Sequence, residues 1–150
     1  MSPATAPAPR PPRAVADSNV FISALLGGAR ASAVLAVARR AMITLYASEY
    51  IFAEVARILD VKFSWAPART QDALTGMRSY VIIVPPGSRR ISVVRDPKDN
   101  PILECARAAR AKFLITGDRD LLTLGTYRRL HIVTIREFLN LYPPPPPAAP

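Results

Sequence analysis

Arg13-Ala14-Val15-Ala16-Asp17-Ser18-Asn19-Val20 decides the fold, because a strand, an acid and a helix start follow one another within it. The apolar run reads as a short strand. Ser18 and Asn19 are turn and cap residues, and helical spacing begins at Val20. Either Asp17 or Ser18 would satisfy the free N–H groups at the helix mouth. Ser18 suffices by itself, which leaves Asp17 available for another task. A second strand ending in an acid appears as Phe113-Leu114-Ile115-Thr116-Gly117-Asp118, where Gly117 lets the backbone turn sharply off the strand.

Working outward, apolar runs predict further strands over residues 43–46, 80–84 and 130–134, with 113–116 already noted. Helical spacing predicts helices over residues 20–26, 31–40, 48–59, 67–79, 101–110 and 135–141. Ser48 caps the third of these, and Pro67 is tolerated in the first turn of the fourth. Strands alternating with helices imply an α/β fold whose mainly parallel sheet is covered on both faces, a three-layer α/β/α sandwich. Most of the 16 prolines fall at the two ends. Residues 1–12 and 143–150 therefore read as Pro-rich, extended tails around a folded unit over 13–142.

The chain has 150 residues, half of them apolar, enough for one domain with an ordinary core. No apolar run approaches the ~18–20 residues that span a bilayer, so no membrane association is expected. No secretory signal is visible. Cys105 is the only cysteine, so an intrachain disulfide is excluded, which fits a reducing cytoplasm. Ile102 and Ala106 beside it favour a small buried side chain over a nucleophile. The 20 Lys and Arg against 11 Asp and Glu leave a net charge of +9. All bases but Lys62, Lys98 and Lys112 are arginine, whose planar fork suits phosphate oxygens. Nucleic acid is the natural polyanionic partner, although biased base composition alone would also enrich Arg, Ala and Pro.

Four acids stand at or near the ends of apolar segments: Asp17, Glu54, Asp99 and Asp118. Like charges a few ångströms apart raise one another's pKa, so a chain with few acids that places four this way gathers them around a cation. Ligands bind beyond the C-terminal ends of strands in parallel sheets, where Asp17 and Asp118 both fall. Glu54 lies at the edge of the stripe formed by Ile51, Phe52, Val55, Ile58 and Leu59, and could equally pair with Arg57. Asp96-Pro97-Lys98-Asp99 reads either as a cap with an acid in the first turn, or as an acid left free ahead of Asn100-Pro101. Asp120 is a candidate cap for Leu121 to Leu124. His131 and Cys105 offer no zinc cluster and no catalytic dyad, and no P-loop is present. Hard oxygen ligands without N or S donors point to Mg²⁺ or Mn²⁺.

Four stretches together resemble the PIN-domain ribonucleases, notably the bacterial and archaeal members assigned as toxins of toxin–antitoxin systems. They are Val15-Ala16-Asp17-Ser18-Asn19-Val20-Phe21, Ser48 through Glu54 to Leu59, Arg95-Asp96-Pro97-Lys98-Asp99-Asn100, and Leu114-Ile115-Thr116-Gly117-Asp118-Arg119-Asp120-Leu121-Leu122. The resemblance implies a sheet of about five parallel strands between helices and an acidic cluster binding Mg²⁺ or Mn²⁺. It matches Asp17, Glu54, Asp99 and Asp118 to the family's four acids, with Asp96 and Asp120 as additional acids. The family pattern usually carries another acid where this chain has Lys98. That departure either weakens a second metal position or moves charge at the rim.

From these matches the expected activity is metal-assisted cleavage of single-stranded RNA. Ser18, Asn19, Asn100 and Thr116 would support the acids, while Arg95, Lys98 and Arg119 would bind substrate phosphates. The resemblance also implies a small antitoxin protein as partner and a homodimer. The apolar helices near residues 31–41 and 51–59 would offer a groove for that partner. Competing readings are a catalytically weak PIN scaffold acting as an interaction module, a housekeeping RNA-processing nuclease, and a small-molecule phosphatase. The last would want a second acid at the position of Asn19.

Overall fold

The computed structural model describes residues 9–85, 87 and 96–146. Its centre is a six-stranded sheet of β1 (Arg13–Ala16), β2 (Thr44–Ala47), β3 (Val81–Ile83), β4 (Phe113–Ile115), β5 (Thr126–Tyr127) and β6 (Leu130–Val133), in the order β3-β2-β1-β4-β6-β5. All neighbours pair in parallel except β5 and β6, which form an antiparallel edge. The α/β class and mainly parallel sheet are therefore as the sequence implies. The added strand is the two-residue β5, joined to β6 through a turn in which Arg128 has a positive φ of 56°.

Between the strands run α1 (Ser18–Leu25), α2 (Ala29–Arg39), α3 (Glu49–Phe63), α4 (Pro67–Met77), α5 (Asn100–Ala108), α6 (Arg119–Leu124) and, after β6, α7 (Ile135–Leu141). A 3-10 turn over Pro97–Asp99 leads into α5. Helix α1 packs on α2 and α3, α2 on α7 and α3 on α4, while α5 lies against β1 and β2 and α6 against β6. Right-handed crossovers in both directions away from β1 put these two helix groups on opposite faces of the sheet. The core joins Val15, Leu45, Leu114 and Ile115 of the sheet to Phe21, Phe52, Leu59 and Leu103 of the helices, all 1% exposed or less. Phe21 and Phe52 meet edge to face with centroids 5.5 Å apart.

Strand order sets where a ligand can sit. The chain winds outward from β1 through β2 to β3, then returns to β4 on the other side of β1. The topological switch point thus lies at the C-terminal ends of β1 and β4, where a crevice opens in folds of this type. Helices that cross back over a parallel sheet run antiparallel to the strands, so α2, α3 and α5 all start at this same rim. No single helix among the described residues is long and apolar enough to cross a membrane.

Candidate metal centre

Asp17 stands directly beyond β1, held there by its own N–H donating to Ile115 C=O at 3.1 Å. It is the N-cap of α1, with Oδ1 accepting the Val20 N–H at 3.3 Å. The cap is thus Asp17 and not Ser18, which begins the helix instead. The Ser18 hydroxyl is engaged elsewhere, donating to Glu54 Oε2 at 3.1 Å. Capping does not exhaust Asp17, because Oδ2 accepts the hydroxyl of Thr116. Only 2% of Asp17 is exposed, and burial lifts its pKa to about 6 against the opposing pull of hydrogen bonds from Thr116, Val20 and Asn19.

Thr116 is wholly buried beyond β4 and joins two acids. Its hydroxyl donates to Asp17 and accepts the Asp118 N–H at 3.0 Å. Asp118 then caps α6, with Oδ1 accepting the N–H groups of Asp120 at 2.8 Å and Leu121 at 3.3 Å. The cap is Asp118, whereas Asp120 occupies the first turn. Gly117 between them is exposed and has a β carbon's worth of open space around it.

Of the two readings of Asp96-Pro97-Lys98-Asp99, the structure contains a part of each. Asp96 caps the 3-10 turn by accepting the Lys98 N–H at 3.0 Å. Asp99, at the mouth of α5, makes no capping bond. It is 7% exposed, and its buried Oδ2 has no hydrogen-bond partner. Burial first, then the neighbouring Asp118, Asp96 and Asp17, push its pKa up to about 7. Carboxylate oxygens of Asp96, Asp99 and Asp120 lie within 4.8 Å of one another. Asp96 and Asp120, read from sequence as supporting residues, thus sit as close to Asp99 as any ligand set requires.

Glu54 is half-buried on the second turn of α3, with Oε2 on Ser18 and Oε1 3.8 Å from Arg57 Nη2. The pairing with Arg57 that the sequence offered is therefore present, alongside the bond from Ser18. Glu54 borders the cluster through Tyr50, whose hydroxyl donates to Lys98 C=O at 3.2 Å and whose pKa is raised first by burial, then by the charges of Glu54, Asp99 and Asp96. Tyr50, Glu54, Arg57 and Lys98 line a recess of about 330 Å³. A cavity of about 520 Å³ on another flank is lined by Arg30, Thr116, Gly117 and Arg136, among others. Sequence patterning did not single out Tyr50, Arg30 or Arg136, because each comes to the rim through tertiary packing. Lys98 and Arg119 are exposed, Asn19 is exposed and Asn100 is buried, while Arg95 lies outside the described residues.

More than half of the chain's 11 acids, namely Asp17, Glu54, Asp96, Asp99, Asp118 and Asp120, thus gather at one rim. An unpartnered buried carboxylate oxygen among like charges is costly as an anion unless a cation joins it. The donor set is all oxygen. His131 lies on β6 beside Phe113, away from the rim, and burial pushes the Cys105 thiol up to about 12. These residues fit a hard divalent cation.

A family model for the PIN domain matches residues 13–120, the segment that contains every one of these acids. No curated protein matches the chain. The chain belongs to the PIN-domain family, a nuclease family whose members generally use divalent metals.

Proposed function

From this PIN-domain membership and geometry, we propose that the chain is an endoribonuclease that cleaves single-stranded RNA with Mg²⁺ or Mn²⁺. The observation carrying the proposal is Asp99 Oδ2, buried without a partner among Asp96, Asp118 and Asp120. Asp17, Asp99 and Asp118 would hold the ion, with Asp96 and Asp120, whose oxygens lie within 4.8 Å of Asp99, and Glu54 adding to the set. When bound, the ion supplies positive charge to the scissile phosphate and acidifies a coordinated water.

The remaining work belongs to the chain's own side chains. Thr116 orients Asp17 and holds the backbone from which Asp118 projects. Ser18 fixes Glu54 at the edge of the cluster, from which its carboxylate would complete the set or orient the water. Lys98, Arg119 and Arg30 stand exposed around the rim to hold phosphates, and Arg95, expected from sequence to join them, lies outside the described residues. The test is incubation of purified protein with single-stranded RNA and with single-stranded DNA, in Mg²⁺, Mn²⁺ and EDTA. Metal-dependent internal cleavage of RNA supports the reading. Intact RNA under every condition overturns it.

For the cellular role, the reading is a cytoplasmic toxin of a type II toxin–antitoxin pair, homodimeric and silenced by a small antitoxin. Its support is the basic charge and the exposed apolar side chains of α3, Tyr50, Val61 and Phe63. Val34, Leu35, Ile51, Phe52 and Leu59 on α2 and α3 are buried in the protein's own core, so a partner docking on these helices would meet their exposed side chains. Expression alone and beside the neighbouring gene's product, scored by growth and co-purification, separates this role from a housekeeping nuclease. A folded protein that binds RNA without cleaving it would instead favour an interaction module.

A further inference from the structure

At the end of α5 opposite the acids lies a cavity of about 530 Å³ whose lining includes Arg107, Arg110, Arg128 and Arg129, with Tyr127 and Leu130 among its apolar walls. Among the described residues lining it, none is acidic. Arg107 and Arg110 come from the end of α5, where cations also answer the helix dipole. Arg128 and Arg129 come from the β5–β6 turn, where no helix end calls for them. Arg110 and Arg128 both hold positive φ, 53° and 56°, so the backbone adopts an uncommon conformation at two of the four arginines. The Arg128 guanidinium lies 5.7 Å from the Tyr127 ring centroid. Four arginines lining an aromatic and apolar recess, with the Arg128 guanidinium beside the Tyr127 ring, suit a chain of phosphates carrying stackable bases.

We infer that this cavity is a second nucleic-acid contact, gripping single-stranded RNA at a distance from the bond that is cut. The inference rests on the ribonuclease reading for its choice of polyanion. Asp99 at the start of α5 and the arginines at its end are separated by the helix, roughly 14 Å for nine residues at ~1.5 Å each. At ~3.4 Å per nucleotide along a strand, that span takes about four nucleotides. A short RNA at the acids would not reach the arginines, whereas a long one would engage both ends of α5.

The test compares the full-length protein with an Arg128→Asn/Arg129→Gln double variant, Asn being tolerant of the left-handed conformation at 128. Binding of RNAs of about 2 and about 15 nucleotides is followed by fluorescence anisotropy in EDTA over a salt series. The expected result is unchanged binding of the short RNA and roughly tenfold weaker binding of the long one at low salt. The salt slope for the long RNA should fall by roughly 1.4, two contacts at ~0.7 each. Equal affinity and slope in both proteins would overturn the inference, as would an equal loss for short and long RNA. Length-dependent, arginine-dependent binding by a protein that cuts no RNA would uphold this contact while overturning the ribonuclease reading. Cleavage of long RNA with an unaltered salt slope in the variant would do the reverse.

Discussion

Thr116 and Asp17, 99 positions apart in the chain, are joined by a buried hydrogen bond in which the threonine hydroxyl donates to the carboxylate. The same hydroxyl accepts the Asp118 N–H, so one side chain sets the spacing of two acids that end neighbouring strands. The acidic rim is therefore held from beneath by the sheet, and its geometry does not depend on a bound ion to bring these two residues together.

Thr116→Val should separate this support from the acids themselves. It keeps the shape but leaves one Asp17 oxygen without its donor and the Asp118 N–H without its acceptor. A loss of about 1–3 kcal/mol in unfolding free energy is expected for the unsatisfied groups. Manganese affinity, measured by calorimetry, should fall as well. Wild-type affinity and stability in the variant would show that Thr116 merely fills space.

Asp99→Asn should have opposite effects with and without metal. In EDTA the variant should be more stable than wild type, because a buried carboxylate among like charges has been neutralised. In excess Mg²⁺ the wild type should gain about 2.7 kcal/mol at an ion concentration about 100 times Kd, and the variant far less. Thermal melts of both proteins in both buffers check this crossover.

The metal-free protein should lose stability as pH rises through the weakly acidic range. Asp17 ionises near 3.8 in the unfolded chain and near 6 in the folded one. The folded state therefore binds more protons between these values, and unfolding free energy falls with pH across them. Asp99, lifted to about 7, extends the decline toward neutrality. For Asp17 alone the difference is about 3 kcal/mol, nothing below pH ~4 and complete above ~7. Denaturant melts from pH 4 to 8 in EDTA should show this slope, and saturating Mg²⁺ should flatten it.

Asp17→Asn and Asp118→Asn should abolish cleavage in folded protein, while Asp96→Asn and Asp120→Asn should lower it more mildly. An asparagine at 96 can still accept the Lys98 N–H, so the 3-10 turn survives with only the charge removed. Losses of roughly 10–100-fold are expected at 96 and 120, as for outer partners of a metal ligand. The reverse ranking in single-turnover cleavage would assign the ion to Asp96, Asp99 and Asp120 instead.

Apart from β5, the strands were readable from sequence to within a residue or so, while the longest helix, α3, runs four residues beyond its expected end. Strand β1 and helix α7 match their expected bounds, and β2, β4 and β6 shift by no more than a residue at either end. The two misplaced caps share a cause, competition for one side chain between partners near and far. Ser18 is a competent cap by local rules, but Glu54 on α3 takes its hydroxyl and the cap passes to Asp17. Asp120 is a plausible cap in isolation, but Thr116 fixes the backbone of Asp118 two residues earlier. Strand β5 is two residues long, too short for any periodicity, and exists because the turn at Arg128 folds it onto β6. The closeness of Asp96 to Asp120 is likewise a product of α5 and β4 meeting at the rim.

Because β1 occupies the middle of the sheet, the acidic rim is made of parts synthesised far apart in time. Asp17 leaves the ribosome first, while Asp99, Thr116 and Asp118 follow on later strands and helices. At ~5–20 residues per second, about 5–20 s separate the first acid from the last. A chain interrupted before β4 has β1 exposed along one edge and Asp17 without its threonine. Such a fragment lacks the assembled acidic rim. The rim therefore comes together only after β4 has been made and has paired with β1.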